Sequence, residues 1–174
     1  MALGVFLRGV NVGGNKKFQP SVLAKELARL RVVNIGATGT FVVHGKIGAK
    51  ALREEIRRKL PFEAEIMICT GEEIMNLVRS QPFGDKPPAK DVQWYVSILQ
   101  NPPRVVPRLP MIFPANDDWE LRIFRVTGKF ALSIRRRLGP RLIYPIVLEE
   151  TLGIPVTTRN WNTIISVCNA LQEE

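Results

Sequence analysis

Arg31-Val32-Val33-Asn34-Ile35-Gly36-Ala37-Thr38-Gly39-Thr40-Phe41-Val42-Val43 reads as two short strands hinged on a four-residue turn. β-Branched and aromatic residues fill both arms, and the two glycines admit the backbone conformations that a hairpin needs. What flanks this hairpin decides the fold. Before it, Leu3 to Arg8 is an apolar strand, and Pro20 opens a helix whose Val22, Leu23, Leu27 and Leu30 recur at helical spacing. After it, Leu52, Ile56 and Leu60 mark a helix over Ala49–Leu60 that Pro61 ends, with Glu54–Arg58 and Glu55–Lys59 as favourable pairs on its outer face. Glu65 to Cys69 is the next strand. Thr70-Gly71-Glu72-Glu73 has the form of a capping box opening a third helix, with Ile74, Leu77 and Val78 on its buried side. The order β-α-β-β-α-β-α is that of a ferredoxin-like plait, a split βαβ arrangement in the α+β class.

The second half follows a similar plan. Ser80 to Pro88 breaks every regular pattern, so the expected organisation is a ferredoxin-like domain over 1–80, a linker over 81–90 and a second, related α+β domain over 91–174. Val92 to Leu99 is a strand, and Asn101 to Pro114, dense in proline, is irregular with room for a short helix. Trp119, Leu121 and Ile123 alternate along one strand and Phe130, Leu132 and Ile134 along the next, joined at Thr127-Gly128-Lys129. Helices are expected over Tyr144–Leu152, closed by Gly153, and over Asn160–Leu171, with Ile164, Ile165, Cys168 and Leu171 inward.

Composition narrows the partners. With 174 residues, 45% hydrophobic and 24% charged, the chain can bury a core. Its net charge of +9 raises the local concentration of anions, which favours nucleotides or nucleic acid, although many basic domains carry such charge only for solubility. Cys69, Cys168 and the single His44 form no zinc or redox pattern, and no metal site is expected; both cysteines sit among apolar residues as small buried hydrophobes. The short apolar opening, interrupted by Arg8, is not a signal peptide, and no stretch is long enough to cross a bilayer. A cytoplasmic protein without a membrane segment is the expectation. The sequence is silent on cofactor and on oligomeric state.

Three stretches carry candidate chemistry. In Arg8-Gly9-Val10-Asn11-Val12-Gly13-Gly14-Asn15-Lys16-Lys17, glycines after a strand turn backbone N–H groups towards an anion, with Lys16 and Lys17 nearby. It is neither a Walker loop nor a dinucleotide fingerprint, and a plain tight turn accounts for it equally well. In Thr157-Thr158-Arg159-Asn160-Trp161-Asn162-Thr163, a helix N-terminus, the Arg159 guanidinium and the Trp161 ring suit a phosphate and a base. Simple capping by Thr158 or Asn160 explains the same residues. The run Arg135-Arg136-Arg137 with Arg141 suits a phosphate backbone, or is solvated charge at a strand end. Asp117-Asp118 reads as a turn before a strand, and no Ser/His/acid or Cys/His set is present.

The first two motifs, as Leu7-Arg8-Gly9-Val10-Asn11-Val12-Gly13-Gly14 and Thr158-Arg159-Asn160-Trp161-Asn162-Thr163, resemble the opening and closing signatures of a bacterial family of uncharacterised proteins, the domain-of-unknown-function family 1697. Gly153-Ile154-Pro155 fits as well. Two positions depart from the family pattern: Thr38-Gly39-Thr40-Phe41 stands where relatives carry Ser-Gly-Asn-Val, and Arg141 where they tend to carry lysine. The resemblance implies tandem ferredoxin-like units and supplies no activity. It marks Arg8, Asn11, Gly13, Gly14, Arg159, Asn160, Trp161, Asn162 and Thr163 as ligand-binding candidates, to which the residues themselves add Lys16. The leading expectation is a protein that binds a phosphorylated ligand, nucleotide or nucleic acid, where the two motifs meet between the halves. The alternatives are an enzyme acting on a small anionic substrate and a partner-binding or structural module.

Overall fold

The computed structural model describes residues 1–12, 14, 17–86, 88–136 and 146–173. By its internal contacts the chain divides into two compact units, Met1–Ser80 together with Asn162–Glu174, and Gln81–Trp161. The last helix, which the sequence assigns to the second domain, thus groups with the first unit from Asn162 onward.

The first unit holds β1 (Leu3–Leu7), α1 (Pro20–Glu26), β2 (Val32–Ile35), β3 (Thr40–Val43), α2 (Ala49–Lys59), β4 (Ile66–Thr70) and α3 (Gly71–Arg79). Its sheet has the order β2-β3-β1-β4, and every neighbouring pair is antiparallel. That is the ferredoxin-like plait read from the sequence. Alternation along β1 explains the layering: Leu3, Val5 and Leu7 join Phe41, Ile66 and Ile68 against Leu23 and Leu27 and, from α2, Leu52 and Ile56. Each of these aliphatic side chains contributes about 1.5–3 kcal/mol by leaving water. Gly4 points the other way, towards α3, where a Cβ would lie 2.4 Å from Ile74 Cδ1. α3 starts without any loop after β4, and the capping box makes this possible. Thr70 N–H donates to Glu73 Oε2 at 2.7 Å, and Glu73 N–H donates to Thr70 Oγ1 at 3.2 Å.

The second unit holds β5 (Val92–Leu99), β6 (Met111–Phe113), β7 (Leu121–Thr127), β8 (Phe130–Arg136), α4 (Ile146–Leu152) and β9 (Val156–Asn160). α5 (Trp161–Gln172) follows β9 directly. The five-stranded antiparallel sheet has the order β6-β7-β8-β5-β9. Two strands differ from the sequence reading. β6 replaces the short helix allowed within 101–114, and β9 occupies residues expected as the cap of the last helix. Within α5, Ile164, Val167, Cys168 and Ala170 are buried, whereas Ile165 and Leu171 are half-buried.

Four strands of this sheet repeat the first plait, with β5, β7, β8 and β9 in the places of β1, β2, β3 and β4. The repeat extends to single hydrogen bonds. Leu7 N–H donates to Gly39 O and Leu99 N–H to Lys129 O, both at 2.8 Å. Arg8 N–H donates to Glu65 O at 3.0 Å and Gln100 N–H to Pro155 O at 3.1 Å. α4 takes the place of α2, setting Leu148 on Leu99, Leu121, Ile123, Ala131 and Val156. No helix corresponds to α1 among the described residues of this unit; Leu109, Met111 and Phe113 from the proline-rich stretch pack on the core instead.

Candidate functional site

The opening motif leaves β1 through a sharp bend. Gly9 at φ 68° and Asn11 at φ 55° both take the left-handed conformation, which glycine and asparagine adopt more readily than other residues. Asn11 is then held on three sides. Its Nδ2 donates to Ala37 O at 2.7 Å and to Phe18 O at 3.0 Å, and its Oδ1 accepts from Phe18 N–H at 3.0 Å. Both amide hydrogens are therefore spent on the chain itself, and Asn11 shapes the loop rather than presenting a donor to a ligand. Gly14, at φ 77°, is exposed. Gly13, Asn15 and Lys16 lie outside the described residues.

Arg8 faces a cavity of about 820 Å³. Its other walls are Gly9, Arg57 at the end of α2, and Phe62, Glu63, Ala64 and Glu65 from the segment before β4. Arg8 and Glu65 are tied twice, through the backbone bond and through an ion pair from Nη1 to Oε2 at 2.5 Å. Each side chain of this pair keeps 39% of its surface in water, so the pair organises the rim and adds little stability. Arg57 is exposed and reaches Glu54 at 3.0 Å. Phe62 and Phe18 meet edge to face, with ring centroids 5.7 Å apart. A structural chain runs from Asn11 through Phe18 to the aromatic wall of the cavity. The sequence singled out Arg8 and missed Arg57, Phe62, Glu63 and Glu65, which carry no motif and reach Arg8 only through the fold.

The closing motif behaves differently from a helix-terminus loop. Val156–Asn160 is strand, so Thr158 does not cap α5: its hydroxyl meets Ser97 Oγ at 2.7 Å across the β5–β9 pair. Arg159 is 8% exposed, and its Nη1 donates to Thr157 Oγ1 at 2.8 Å and Thr158 O at 2.9 Å. Strand alternation sets Thr157 and Arg159 on one face, which lets the guanidinium fold back on its own strand. Asn160 is exposed at the strand end, opposite Tyr95. The half-buried Trp161 meets Phe83 at 5.1 Å between ring centroids, and Phe83 also stacks on Trp94 at 4.9 Å and meets Phe124 at 5.6 Å. Part of the expected linker is thus packed on the second sheet. Asn162 is exposed and Thr163 half-buried in the first turn of α5.

Arg135 and Arg136 of the basic run are not solvated charge. Arg135 is buried, and Arg136 donates from Nε to Trp119 O at 3.1 Å while its guanidinium carbon sits 4.7 Å from the Trp119 ring centroid. Arg122 approaches the same ring at 4.5 Å. These cation–π contacts hold two of the three described arginines here on one indole. Arg137 and Arg141 lie outside the described residues. Asp118 N–H donates to Asn116 Oδ1 at 2.9 Å in the turn before β7, as expected of the Asp117-Asp118 pair. Among the described residues, no group of three His, Cys, Asp or Glu stands ready for a metal, and no helix is long and apolar enough to cross a membrane.

Two antiparallel plaits with helices define an α+β protein. The chain belongs to the family described as "Protein of unknown function (DUF1697)", whose model matches residues 2–119. Its fold is similar to that of a conserved bacterial protein from Streptococcus pneumoniae, at 15% identity and a TM-score of 0.60 over 98% of each chain. No curated protein matches the sequence.

Proposed function

We propose that the first unit binds a phosphorylated ligand of nucleotide size in the cavity at the end of β1. The observation that carries this reading is the set of groups on one wall system: two guanidinium groups, an aromatic ring and two carboxylates around about 820 Å³. That volume lies within the range of small-molecule sites. Arg8 and Arg57 match the planar oxygens of a phosphate. Phe62 offers an apolar face to a base. Glu63 and Glu65 accept hydrogen bonds from sugar hydroxyls, the role a carboxylate plays towards ribose in dinucleotide folds. The chain's net charge of +9 adds a long-range pull on any anion. Glu65 competes with the phosphate for Arg8, so moderate affinity follows.

The test is calorimetric titration with AMP, ribose 5-phosphate, adenosine and inorganic phosphate, on the parent protein and on Arg8→Ala and Arg57→Ala. AMP is expected to bind best, each arginine variant weakening it about tenfold, the worth of one charge-assisted hydrogen bond. At 100 times the dissociation constant the ligand adds roughly 2.7 kcal/mol to the stability of the unit that holds it. Oligonucleotide binding that falls steeply with salt while AMP fails would replace this reading with nucleic-acid binding.

A further inference from the structure

The internal repeat points to a second place on the chain where a ligand fits. The cavity of the first unit opens where β1 ends, beside the segment that leads from α2 into β4. The equivalent place in the second unit is where β5 ends, beside the segment from α4 into β9. There the structure holds a cavity of about 550 Å³, formed by the stretch after β5 and by Thr151 to Ile154. Equivalent bonds frame both mouths, Arg8 N–H to Glu65 O and Gln100 N–H to Pro155 O.

The lining differs in kind. Pro102, Val105, Pro107, Leu152 and Ile154 give the cavity an apolar wall beside Asn101 and Thr151, and among the described lining residues Arg104 is the one charged group. Arg104 is exposed and has no ion-pair partner among the described residues. Val105 keeps 78% of its surface in water and its neighbour Val106 49%, unusual for large aliphatic side chains. A single cation beside an apolar wall favours a ligand with one negative charge and an apolar body. A nucleotide fits less well, because its second charge meets no second cation among the described lining residues.

We infer that the second unit holds a separate site for a small amphipathic monocarboxylate, with the carboxylate on Arg104 and the hydrocarbon along Val105, Leu152 and Ile154. The ligand exchanges the water on these aliphatic groups for contact with its own chain, at about 0.8 kcal/mol per buried methylene. Affinity therefore rises with chain length until the trough is full.

Octanoate is the probe, titrated below its micelle concentration and followed by amide chemical shifts and calorimetry. Octanol supplies the tail without the charge, and acetate the charge without the tail. Octanoate is expected to bind saturably at one site and to shift amides of 101–107 and 151–154. Arg104→Gln weakens it at least about tenfold, octanol binds no better to the parent than octanoate does to that variant, and acetate leaves no shift. Ile154→Trp fills the trough and abolishes binding with the melting temperature kept. Arg8→Ala, in the other unit, changes nothing. Absence of saturable octanoate binding would overturn the inference, as would equal binding by octanol or retention in Arg104→Gln. Loss of octanoate binding in Arg8→Ala would transfer the ligand to the first cavity and equally overturn it. Because Arg104 is exposed and unpaired, its variant folds, and the test does not hang on the tryptophan substitution.

Discussion

Asn11 grips Phe18 by both of its backbone groups, accepting from its N–H and donating to its C=O, each at 3.0 Å. A side-chain amide thus stands in for a strand partner, and the third bond, to Ala37 O, ties the loop to the β2–β3 turn. Asn11→Ala removes all three bonds and puts at φ 55° a residue that tolerates the left-handed region less well than asparagine. A loss of about 2–4 kcal/mol is expected from bonds and backbone together. Asn11→Gly relieves the backbone and recovers about 1 kcal/mol of it. Hydrogen exchange at the Phe18 amide reads the effect directly. Equal exchange in Asn11→Ala and the parent would refute it.

Gly36 and Gly39 stand in the same turn at φ 70° and 71°, and a methyl group separates them sharply. At Gly39 a Cβ would lie 2.7 Å from Val10 Cγ2 and 2.8 Å from Leu7 Cβ, whereas at Gly36 it meets nothing within 4 Å. Gly36→Ala therefore costs only the backbone strain, about 1–2 kcal/mol. Gly39→Ala adds overpacking of about 1–3 kcal/mol more. Circular dichroism melts are the measurement. Tryptophan fluorescence is blind here, because Trp94, Trp119 and Trp161 all belong to the second unit.

The same tryptophans make the second unit easy to follow. Arg159→Ala leaves Thr157 Oγ1 and Thr158 O without the Nη1 donor and opens a void in a buried strand. A loss of about 2–4 kcal/mol is expected in urea unfolding read by fluorescence. Arg159→Lys restores only part of it, since the shorter, non-planar side chain sets its ammonium away from the place of Nη1. An Arg159→Ala variant as stable as the parent would show that the guanidinium is dispensable to the fold.

Cys168 carries a pH signature. Burial pushes its thiol up from the ordinary value, and Arg79 draws it partly back. A folded value above the unfolded one means that the stability it contributes is fully present below the ordinary thiol value of about 8.5 and is lost as pH rises through the raised one. Melts from neutral to alkaline pH should fall more steeply for the parent than for Cys168→Ala. Parallel curves would remove the thiol as the cause.

The plait was legible because its signals are local: apolar and β-branched runs in β1 and β3, helical spacing in α1 and α2, and a capping box at Thr70. β9 was not, because Thr157, Thr158 and Asn160 are also cap-forming residues. Their polar groups suit a strand only where partners such as Ser97 stand opposite, and that is a tertiary fact. β6 is three residues long among prolines, too short for any period to register. Of the first cavity, Arg8 and Gly9 were visible in the motif. Arg57 and Phe62 to Glu65 lie roughly fifty residues on, and only the pairing of β1 with β4 brings them alongside.

The contact between Phe83 and Trp161 joins residues near the two ends of the second unit. A segment whose entry and exit meet is a closed module: expression from Gln81 to Trp161 alone, or a cut elsewhere with the ends rejoined there, is expected to leave its strands paired. The first unit has no such autonomy. A chain stopped at Ser80 would lack the helix from Asn162 onward and present bare apolar surface in its place, so the first unit closes only after the whole of the second has been made.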